Sequence, residues 1–468
     1  MGDLLSGAVT LAYLAAAAWV TGHALLHKED SRAAVAWIGL AWLSPLVGSA
    51  LYAVFGVNRI ARKASRLSSR HRPDRPGPEA GGGPDPDVPE NLRRIAAVAR
   101  QVSGRRLTGG NALALHEGEA AATAMRAAIE DARHSLALAS YIFETDAVGE
   151  SFIAALARAQ ARGVAVRVLI DGVGGGYLTY PVLRRLRRAG VPAASFLHSW
   201  QPWRMPFLNL RNHKKLLIVD GTRAFTGGMN IGADAMARPY RIRDTHGEVA
   251  GPVARHLMQA FADDWSFTTG ESLTDAHWWP AIPEAGPMAA RALTSGPDED
   301  MSTLETVLAS AISDARERVR IVTPYFLPDR HLEMGLALAT LRGVAVEIVI
   351  PERGNKRLMD WAMRASLRFP ASAGWRVYLT PPPFDHSKLM TVDGGLVLIG
   401  SSNWDVRSHR LNFELDIEGY NREIAADVDA LIDRKIAAAR RLESTSLHAA
   451  PYVRQLRDGA ARLLLPYL

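Results

Sequence analysis

The sequence HKKLLIVDG at residues 213–221 is the most informative part of the chain, because a closely similar sequence, HSKLMTVDG, occurs at residues 386–394. In both stretches the histidine is followed by lysine two positions later and by aspartate seven positions later, and glycine and asparagine follow at fourteen and seventeen positions. One such pattern carries little weight, but five identities in the same register indicate an internal duplication. The sequence therefore predicts two repeats of one structural unit.

The spacing within each stretch predicts a β-hairpin. A short apolar run at residues 216–219 ends in Asp-Gly, which is a strong local signal for a tight reversal of the chain. Successive side chains of a strand point to opposite faces, so His213 and Lys215 share one face, as do His386 and Lys388. Each hairpin is therefore expected to present an imidazole and an ammonium group to one pocket.

The other repeated residues have different expected roles. Asp220 and Asp393 complete the candidate catalytic motif, but they have the opposite parity and lie at the turn. We interpret both aspartates as structural, bonded to turn amides or to a neighbouring basic group. Small residues on the returning strand allow a ligand to approach the backbone. Asn230 and Asn403 then add amide donors and are candidate phosphate-binding residues.

The composition of this pocket indicates phosphate chemistry. Two histidines, two lysines and two asparagines, with no acid in immediate contact, suit a phosphate whose negative charge grows in the transition state. Two histidines also allow one to attack phosphorus while the other protonates the leaving oxygen. This arrangement needs no metal and no other cofactor. A zinc site is the alternative, but the chain has no cysteine and neither motif has a second histidine three or four positions later.

At this point the sequence resembles a known family. The repeated pattern is similar to the two HxKxxxxD signatures of the phospholipase D superfamily, and the flanks resemble bacterial cardiolipin synthases over most of the chain. The similar flanks are YIFETD (141–146), RNH (211–213), GGMNIG (227–232), RDTH (243–246) and LNFE (411–414). The resemblance implies that Asp244 and Glu414, 31 and 28 residues after the two histidines, accept the imidazole N–H groups and orient the rings. It also implies that His213 is the nucleophile and His386 the general acid and then base.

The duplication extends beyond the motifs and predicts the fold. IEDAR at residues 129–133 recurs as ISDAR at 312–316, and RGVAV recurs at 162–166 and 342–346. Each half reads as helix, strand, amphipathic helix, strand and motif hairpin, which predicts parallel pairing within a mixed sheet. We therefore expect an α/β fold of two phospholipase D-like domains, 91–290 and 291–468, with a mixed sheet flanked by helices and a pseudo-twofold through one shared active site.

The N-terminal region, residues 1–72, has a different character. Residues 4–26 carry no formal charge apart from His23, and residues 33–57 carry none, so each stretch exceeds the roughly 20 residues that span a bilayer. The sequence predicts two transmembrane helices, with a kink in the second at Pro45. A cleavable signal peptide is the alternative for the first, but its start lacks basic residues and a second span follows closely.

The segment after the second span indicates the orientation of the chain. Six basic residues lie between Arg59 and Arg72, and the positive-inside rule places such a cluster in the cytoplasm. Residues 73–90 are rich in proline and glycine and are expected to form a mobile tether. We therefore expect a multi-pass protein of the bacterial inner membrane with its catalytic region in the cytoplasm. The absence of cysteine fits a reducing compartment.

These features together predict a membrane-anchored phosphatidyltransferase. By the resemblance, it would make cardiolipin from two molecules of phosphatidylglycerol, releasing glycerol through a phosphatidyl-histidine intermediate. A hydrolytic phospholipase D would use the same residues, and phosphatidylethanolamine stays open as an alternative donor. A nuclease and a nucleic-acid partner are disfavoured, because no basic stretch interleaved with aromatic residues flanks the motifs. A membrane scaffold without activity would leave both motif sets unexplained.

Overall fold

The computed structural model describes residues 2–28, 31–56, 86–176, 181–197, 210–296, 303–367, 373–443 and 450–463. The chain divides into two compact units, residues 1–64 and 65–468, and we describe each by itself. The basic cluster between Arg59 and Arg72 and most of the predicted tether at 73–90 lie outside the described residues.

The first unit consists of short-linked helices: α1 (Gly2–His27), α2 (Ser31–Leu43) and α3 (Pro45–Leu51), followed by a π-helical turn (Tyr52–Gly56). The helix breaks at Ser44, where the predicted kink lies, because Pro45 lacks the N–H group that would continue the ladder. Trp42 Nε1 donates to Thr21 Oγ1 at 3.1 Å and so joins α2 to α1.

We find no helix among the described residues whose length and hydropathy together are sufficient to cross a bilayer. The membrane spans expected at residues 4–26 and 33–57 therefore stay a prediction.

One mixed sheet organises the second unit. Its strands are β1 (Thr108–Glu117), β2 (Ser135–Ser140), β3 (Ala165–Asp171), β4 (Ala193–Phe196), β5 (Arg211–Asn212), β6 (Leu216–Val219), β7 (Arg223–Gly227), β9 (Thr245–Ala250), β10 (Met288–Ser295), β11 (Arg318–Val322), β13 (Ala345–Pro351), β14 (Arg376–Thr380), β16 (Leu389–Val392), β17 (Leu396–Gly400), β19 (Asn412–Tyr420) and β20 (Arg440–Arg441). Four short strands lie outside this sheet: β8 (Ile242–Arg243), β12 (Phe326–Leu327), β15 (Phe384–Asp385) and β18 (Trp404–Asp405).

Helices cover both faces of this sheet. They are α4 (Arg93–Ser103), α5 (Gly118–Asp131), α6 (Ala147–Ala161), α7 (Pro181–Arg188), α8 (Ala233–Met236), α9 (Ala254–Thr269), α10 (Thr303–Asp314), α11 (Arg330–Leu341), α12 (Arg357–Ser366), α13 (Val406–Arg410), α14 (Arg422–Ala437) and α15 (Tyr452–Leu463). Because both faces are covered, the strands of the sheet are largely buried, and every residue of β2 is buried.

The order of the strands displays the duplication. Outward from the centre, one half runs β1, β9, β7, β6, β2, β3 and β4, and the other runs β10, β19, β17, β16, β11, β13 and β14. The strands β2 and β3 are parallel, as are β11 and β13, and each motif hairpin is antiparallel. The predicted mixed α/β sheet of two similar repeats is confirmed. The boundary expected between residues 290 and 291 falls within β10.

The hydrophobic cores explain why the repeats form one body. On one face, each repeat has a core of its own. On the other face, helices α9 and α14 bury Leu257, Phe261, Val428 and Leu431 in a single core together with strands of both repeats. Apolar burial contributes roughly 25 cal/mol per Å² of surface removed from water. Because strands of both repeats form this core, separating the repeats would expose its apolar residues to water.

Candidate active site at the junction of the repeats

Each motif histidine follows a short strand that pairs with a strand of the opposite repeat. Strand β5, which precedes His213, pairs in parallel with the start of β19, and β15, which precedes His386, pairs in parallel with β8. The N–H of His213 donates to the carbonyl of Phe413 at 2.9 Å, and the N–H of His386 donates to the carbonyl of Arg243 at 2.7 Å. The two repeats therefore build one site by reciprocal contacts.

The side chains of the histidines cross between the repeats in the same way. His213 Nδ1 lies 3.0 Å from Glu414 Oε2, and His386 Nδ1 lies 2.8 Å from Asp244 Oδ2. Each ring thus meets the carboxylate that follows the other histidine in the sequence. Because a carboxylate accepts a proton-bearing nitrogen, these bonds place the proton on Nδ1 and leave Nε2 of each ring for reaction.

Glu414 is a firmly held anion. Ser401 Oγ donates to its Oε2 at 2.5 Å, and Asn412 Nδ2 donates to its Oε1 at 3.0 Å. Burial by itself raises the pKa of Glu414, but the nearby His213 and Lys215 and the Ser401 hydrogen bond outweigh burial and hold this pKa below its ordinary value. The carboxylate therefore keeps its charge and its hold on the ring.

The two motif lysines are buried, and burial dominates their pKa values. Lys215 Nζ donates to the carbonyl of His213 at 2.6 Å, and Lys388 Nζ donates to the carbonyl of His386. Burial outweighs the attraction of nearby carboxylates and lowers the pKa of Lys388 to about 8; burial together with the charge of Lys388 lowers the pKa of Lys215 to about 7. A bound phosphate would add counter-charge and raise both pKa values.

The two imidazoles are neutral in this environment. Burial lowers the pKa of His213 to about 3 and that of His386 to about 4, and both lysines contribute in the same direction. A neutral imidazole is the nucleophilic form. Since an anion favours the protonated form, binding of a phosphodiester raises both pKa values and enables one ring to hold the proton that a general acid needs.

Aromatic side chains fix the histidine rings from the side. The ring of Tyr141 meets the ring of His213 edge to face, with 4.9 Å between centroids, and Lys215 Nζ lies 5.2 Å from the Tyr141 centroid. In the other repeat Phe384 lies 5.8 Å from His386. Tyr141 begins one of the flanks that resemble the family, but the sequence alone assigned it no role.

The aspartates of the two motifs belong to the scaffold. The carboxylate of Asp220 accepts the backbone N–H groups of residues 133, 134 and 135 at 2.7–3.2 Å. Asp393 accepts those of residues 316, 317 and 318 at 2.9 Å each. Each aspartate thus ties its hairpin turn to the start of the neighbouring strand. These contacts agree with the structural role that we expected for both aspartates.

The contacts of Asn230 and Asn403 also indicate a structural role. Asn230 Oδ1 accepts the N–H of Ile142 at 3.3 Å. The side chain of Asn403 bonds to Asp405, and its own Oδ1 has no partner among the described residues. Phosphate binding by either asparagine stays a prediction.

The first motif needs a glycine at position 228 because the opposite motif lies close against it. A Cβ at Gly228 would lie 2.5 Å from Asp244 Oδ1 and 2.8 Å from the carbonyl oxygen of His386. We expected these small residues to admit a ligand to the backbone. Instead, Gly228 admits the carboxylate and the backbone of the opposite motif, so it serves the assembly of the site.

Both repeats carry a buried ion pair behind the motif, with the charges exchanged. In the first repeat Lys214 Nζ lies 2.8 Å from Asp264 Oδ2, so the motif supplies the cation and helix α9 the anion. In the second repeat Lys435 Nζ of helix α14 lies 2.7 Å from Asp385 Oδ2 of the motif strand. These pairs could not be predicted from the sequence, because their members are 50 residues apart.

Comparisons with known proteins agree with this architecture. A family model described as "Cardiolipin synthase, PLD-like domain" matches residues 125–265 and 308–436. The cardiolipin synthase A of Pseudomonas entomophila (strain L48) is 33% identical over 465 residues, with 95% of each chain covered. The cardiolipin synthase of Geobacillus sp. (strain WCH70) is 29% identical over 457 residues, covering 95% of this chain and 90% of that one. The crystal structure of phosphatidylserine synthase from Haemophilus influenzae Rd KW20 has a similar fold, with a TM-score of 0.64 and 16% identity over 80% of this chain and 100% of that chain.

Proposed function

Because the chain belongs to the cardiolipin synthase family of the phospholipase D superfamily, and is thus a phosphatidyltransferase of phospholipid biosynthesis, we propose that it makes cardiolipin from two molecules of phosphatidylglycerol. The observation that carries the proposal is the reciprocal pair of buried, neutral histidines, each oriented by a carboxylate of the other repeat. Two such rings beside two lysines suit the transfer of a phosphodiester.

The first step of the proposed reaction cleaves the donor lipid. Nε2 of His213 attacks phosphorus, the bond from phosphorus to the glycerol oxygen breaks, and His386 gives its Nε2 proton to that oxygen. Glycerol leaves, and the phosphatidyl group is bonded to His213. Lys215 and Lys388 are placed to neutralise the charge that grows on the phosphoryl oxygens.

The second step transfers the phosphatidyl group. A hydroxyl of the second phosphatidylglycerol attacks phosphorus and gives its proton to Nε2 of His386, which is now unprotonated. The bond between phosphorus and His213 breaks, and the neutral imidazole is restored. The product is cardiolipin. If water takes the place of the lipid hydroxyl, the same sequence of events gives phosphatidic acid.

The test of this proposal is incubation of the purified protein with phosphatidylglycerol vesicles, with the lipid products identified by mass spectrometry. We expect cardiolipin and free glycerol in equal amounts. The His213→Ala protein serves as the control for contaminating activity. Phosphatidic acid as the sole product would replace transfer by hydrolysis as the function.

We also propose that the first unit anchors the enzyme in the bacterial inner membrane, with the second unit in the cytoplasm. The uncharged stretches at 4–26 and 33–57 and the six basic residues between Arg59 and Arg72 support this arrangement. Protease added to sealed spheroplasts should leave the catalytic unit intact, and the same protease should digest it after the cells are permeabilised. Digestion in the sealed cells would reverse the proposed topology.

A further inference from the structure

A second group of basic side chains lies beyond the two motif lysines. Arg211 of the first repeat and Arg407 of the second lie near Tyr141, and Lys356 lies near both arginines. We call these three residues the outer cationic cluster. Arg211 Nη1 donates to Tyr141 Oη at 2.7 Å, and the same ring packs against His213. The cluster is therefore one aromatic ring away from the proposed nucleophile, and both repeats contribute to it.

The members of the cluster repel one another. Partial burial of its ammonium group lowers the pKa of Lys356, although the residue as a whole is exposed, and the charges of Arg211 and Arg407 lower this pKa further. Burial and Arg211 likewise lower the pKa of Arg407. Arg211 and Arg407 are half-buried and Lys356 is exposed, so the cluster lies toward solvent from the buried motif lysines.

Two buried acids lie near the cluster and partly offset its charge, and both also accept backbone amides. Asp405 accepts the N–H of Ser408 at 2.7 Å. Asp171 accepts the N–H groups of Val173, Gly174 and Asn212 at 2.7–2.8 Å. Nε of Arg211 has no hydrogen-bond partner among the described residues, although it is shielded from solvent. The three basic side chains of the cluster thus outnumber these two acids, and Arg211 adds an unused buried donor; these are the properties of a site for an anion.

We propose that the outer cationic cluster binds the uncleaved phosphodiester of the acceptor lipid. This inference rests on the proposed function, in which a second phosphatidylglycerol attacks through its glycerol hydroxyl. The acceptor carries its own phosphate at the other end of that glycerol unit. A phosphate held beside Tyr141 leaves the hydroxyl within reach of the phosphorus on His213, so the cluster selects an anionic lipid acceptor over water.

The test measures use of the lipid acceptor separately from cleavage of the donor lipid. Full-length protein is given phosphatidylglycerol vesicles with ethanol, an uncharged acceptor, and both cardiolipin and phosphatidylethanol are measured. We expect Arg407→Gln and Lys356→Gln each to lower the ratio of cardiolipin to phosphatidylethanol, by about tenfold for the arginine, because a charged hydrogen bond contributes about that much. Phosphatidylethanol reports that the variant is folded and cleaves its donor.

A matched control is available at the far end of the sheet. Arg422 is exposed beside the turn where the N–H of Asn421 donates to the carbonyl of Gly395 at 3.0 Å. Arg422→Gln removes the same charge and should leave the product ratio as in the wild type. A ratio in the Arg407 and Lys356 variants equal to that of this control would overturn the acceptor site.

Inorganic phosphate distinguishes the possible sources of the anion. If phosphate lowers cardiolipin formation more than phosphatidylethanol formation in the wild type, the cluster binds phosphate groups in general. If it lowers neither while the variants still change the ratio, the cluster requires a lipid-borne phosphodiester. Both outcomes support the site. A wild-type protein that makes neither product would overturn the proposed function itself, whereas equal losses of both products in the variants would overturn only this inference.

Discussion

The His213→Ala protein is expected to form no phosphatidyl-enzyme at all, whereas the His386→Ala protein should still form it slowly from an activated donor. Loss of the nucleophile removes the covalent path, but loss of a general acid commonly costs about 10²–10⁴ in rate. A donor whose headgroup is nitrophenol needs no protonation to leave. With that donor, the covalent species on His213 should accumulate in the His386→Ala protein and be detected by mass spectrometry of the denatured chain.

Two results would contradict this assignment. A phosphatidyl group on His386 in the His213→Ala protein would show that the roles are reversed. Absence of any covalent species in the wild type and in both variants would reject the two-step mechanism. Thermal unfolding of both variants provides the control, because each removes one buried hydrogen bond to a carboxylate.

The second large effect on rate is expected from Glu414 and Asp244, the carboxylates that each bind the histidine of the opposite repeat. Glu414→Gln should impair attack by His213, and Asp244→Asn should impair proton transfer by His386, each by about 10²–10⁴ in rate, because the amide can no longer hold the ring in its reactive tautomer. Removing the negative charge of Glu414 also lowers the pKa of His213, which weakens the nucleophile. The nitrophenyl donor should therefore rescue the first step of Asp244→Asn and leave Glu414→Gln impaired.

A nearby acid serves as the control for this experiment. Asp416 lies on the same strand as Glu414 and is also buried, but burial raises the pKa of Asp416 to about 7, so the neutral form is accessible near neutral pH. Asp416→Asn should accordingly have a much smaller effect. The opposite pattern of rescue, with Glu414→Gln restored and Asp244→Asn not, would mean that His386 is the nucleophile and His213 the general acid.

Part of this site could be predicted from the sequence. The Asp-Gly turns, with φ of 49° at Asp220 and Asp393, follow from local chemistry, and the shared face of His213 and Lys215 follows from strand periodicity. The duplication then predicts two similar halves of one sheet. These features depend on neighbours within a few residues, so a single sequence is enough to reveal them.

The crossing of the carboxylates could not be predicted in the same way. It depends on strands β5 and β8, which have two residues each and therefore no periodicity to recognise. The pairing of His213 with Glu414 joins residues 201 apart. The depressed pKa values of the histidines come from burial at the junction of the repeats, which exists only after both have packed on their shared core.

The exchanged ion pairs behind the motifs bear on how the two repeats evolve. After a duplication, recombination between the copies can exchange segments and keep them alike. Here a crossover that joined the first motif to helix α14 would bury Lys214 against Lys435, and the reciprocal product would bury Asp385 against Asp264. An uncompensated buried charge costs roughly 3–5 kcal/mol, a large part of a domain's stability. The reversed charges are thus expected to disfavour such exchanges, so that the sequences of the two repeats stay distinct.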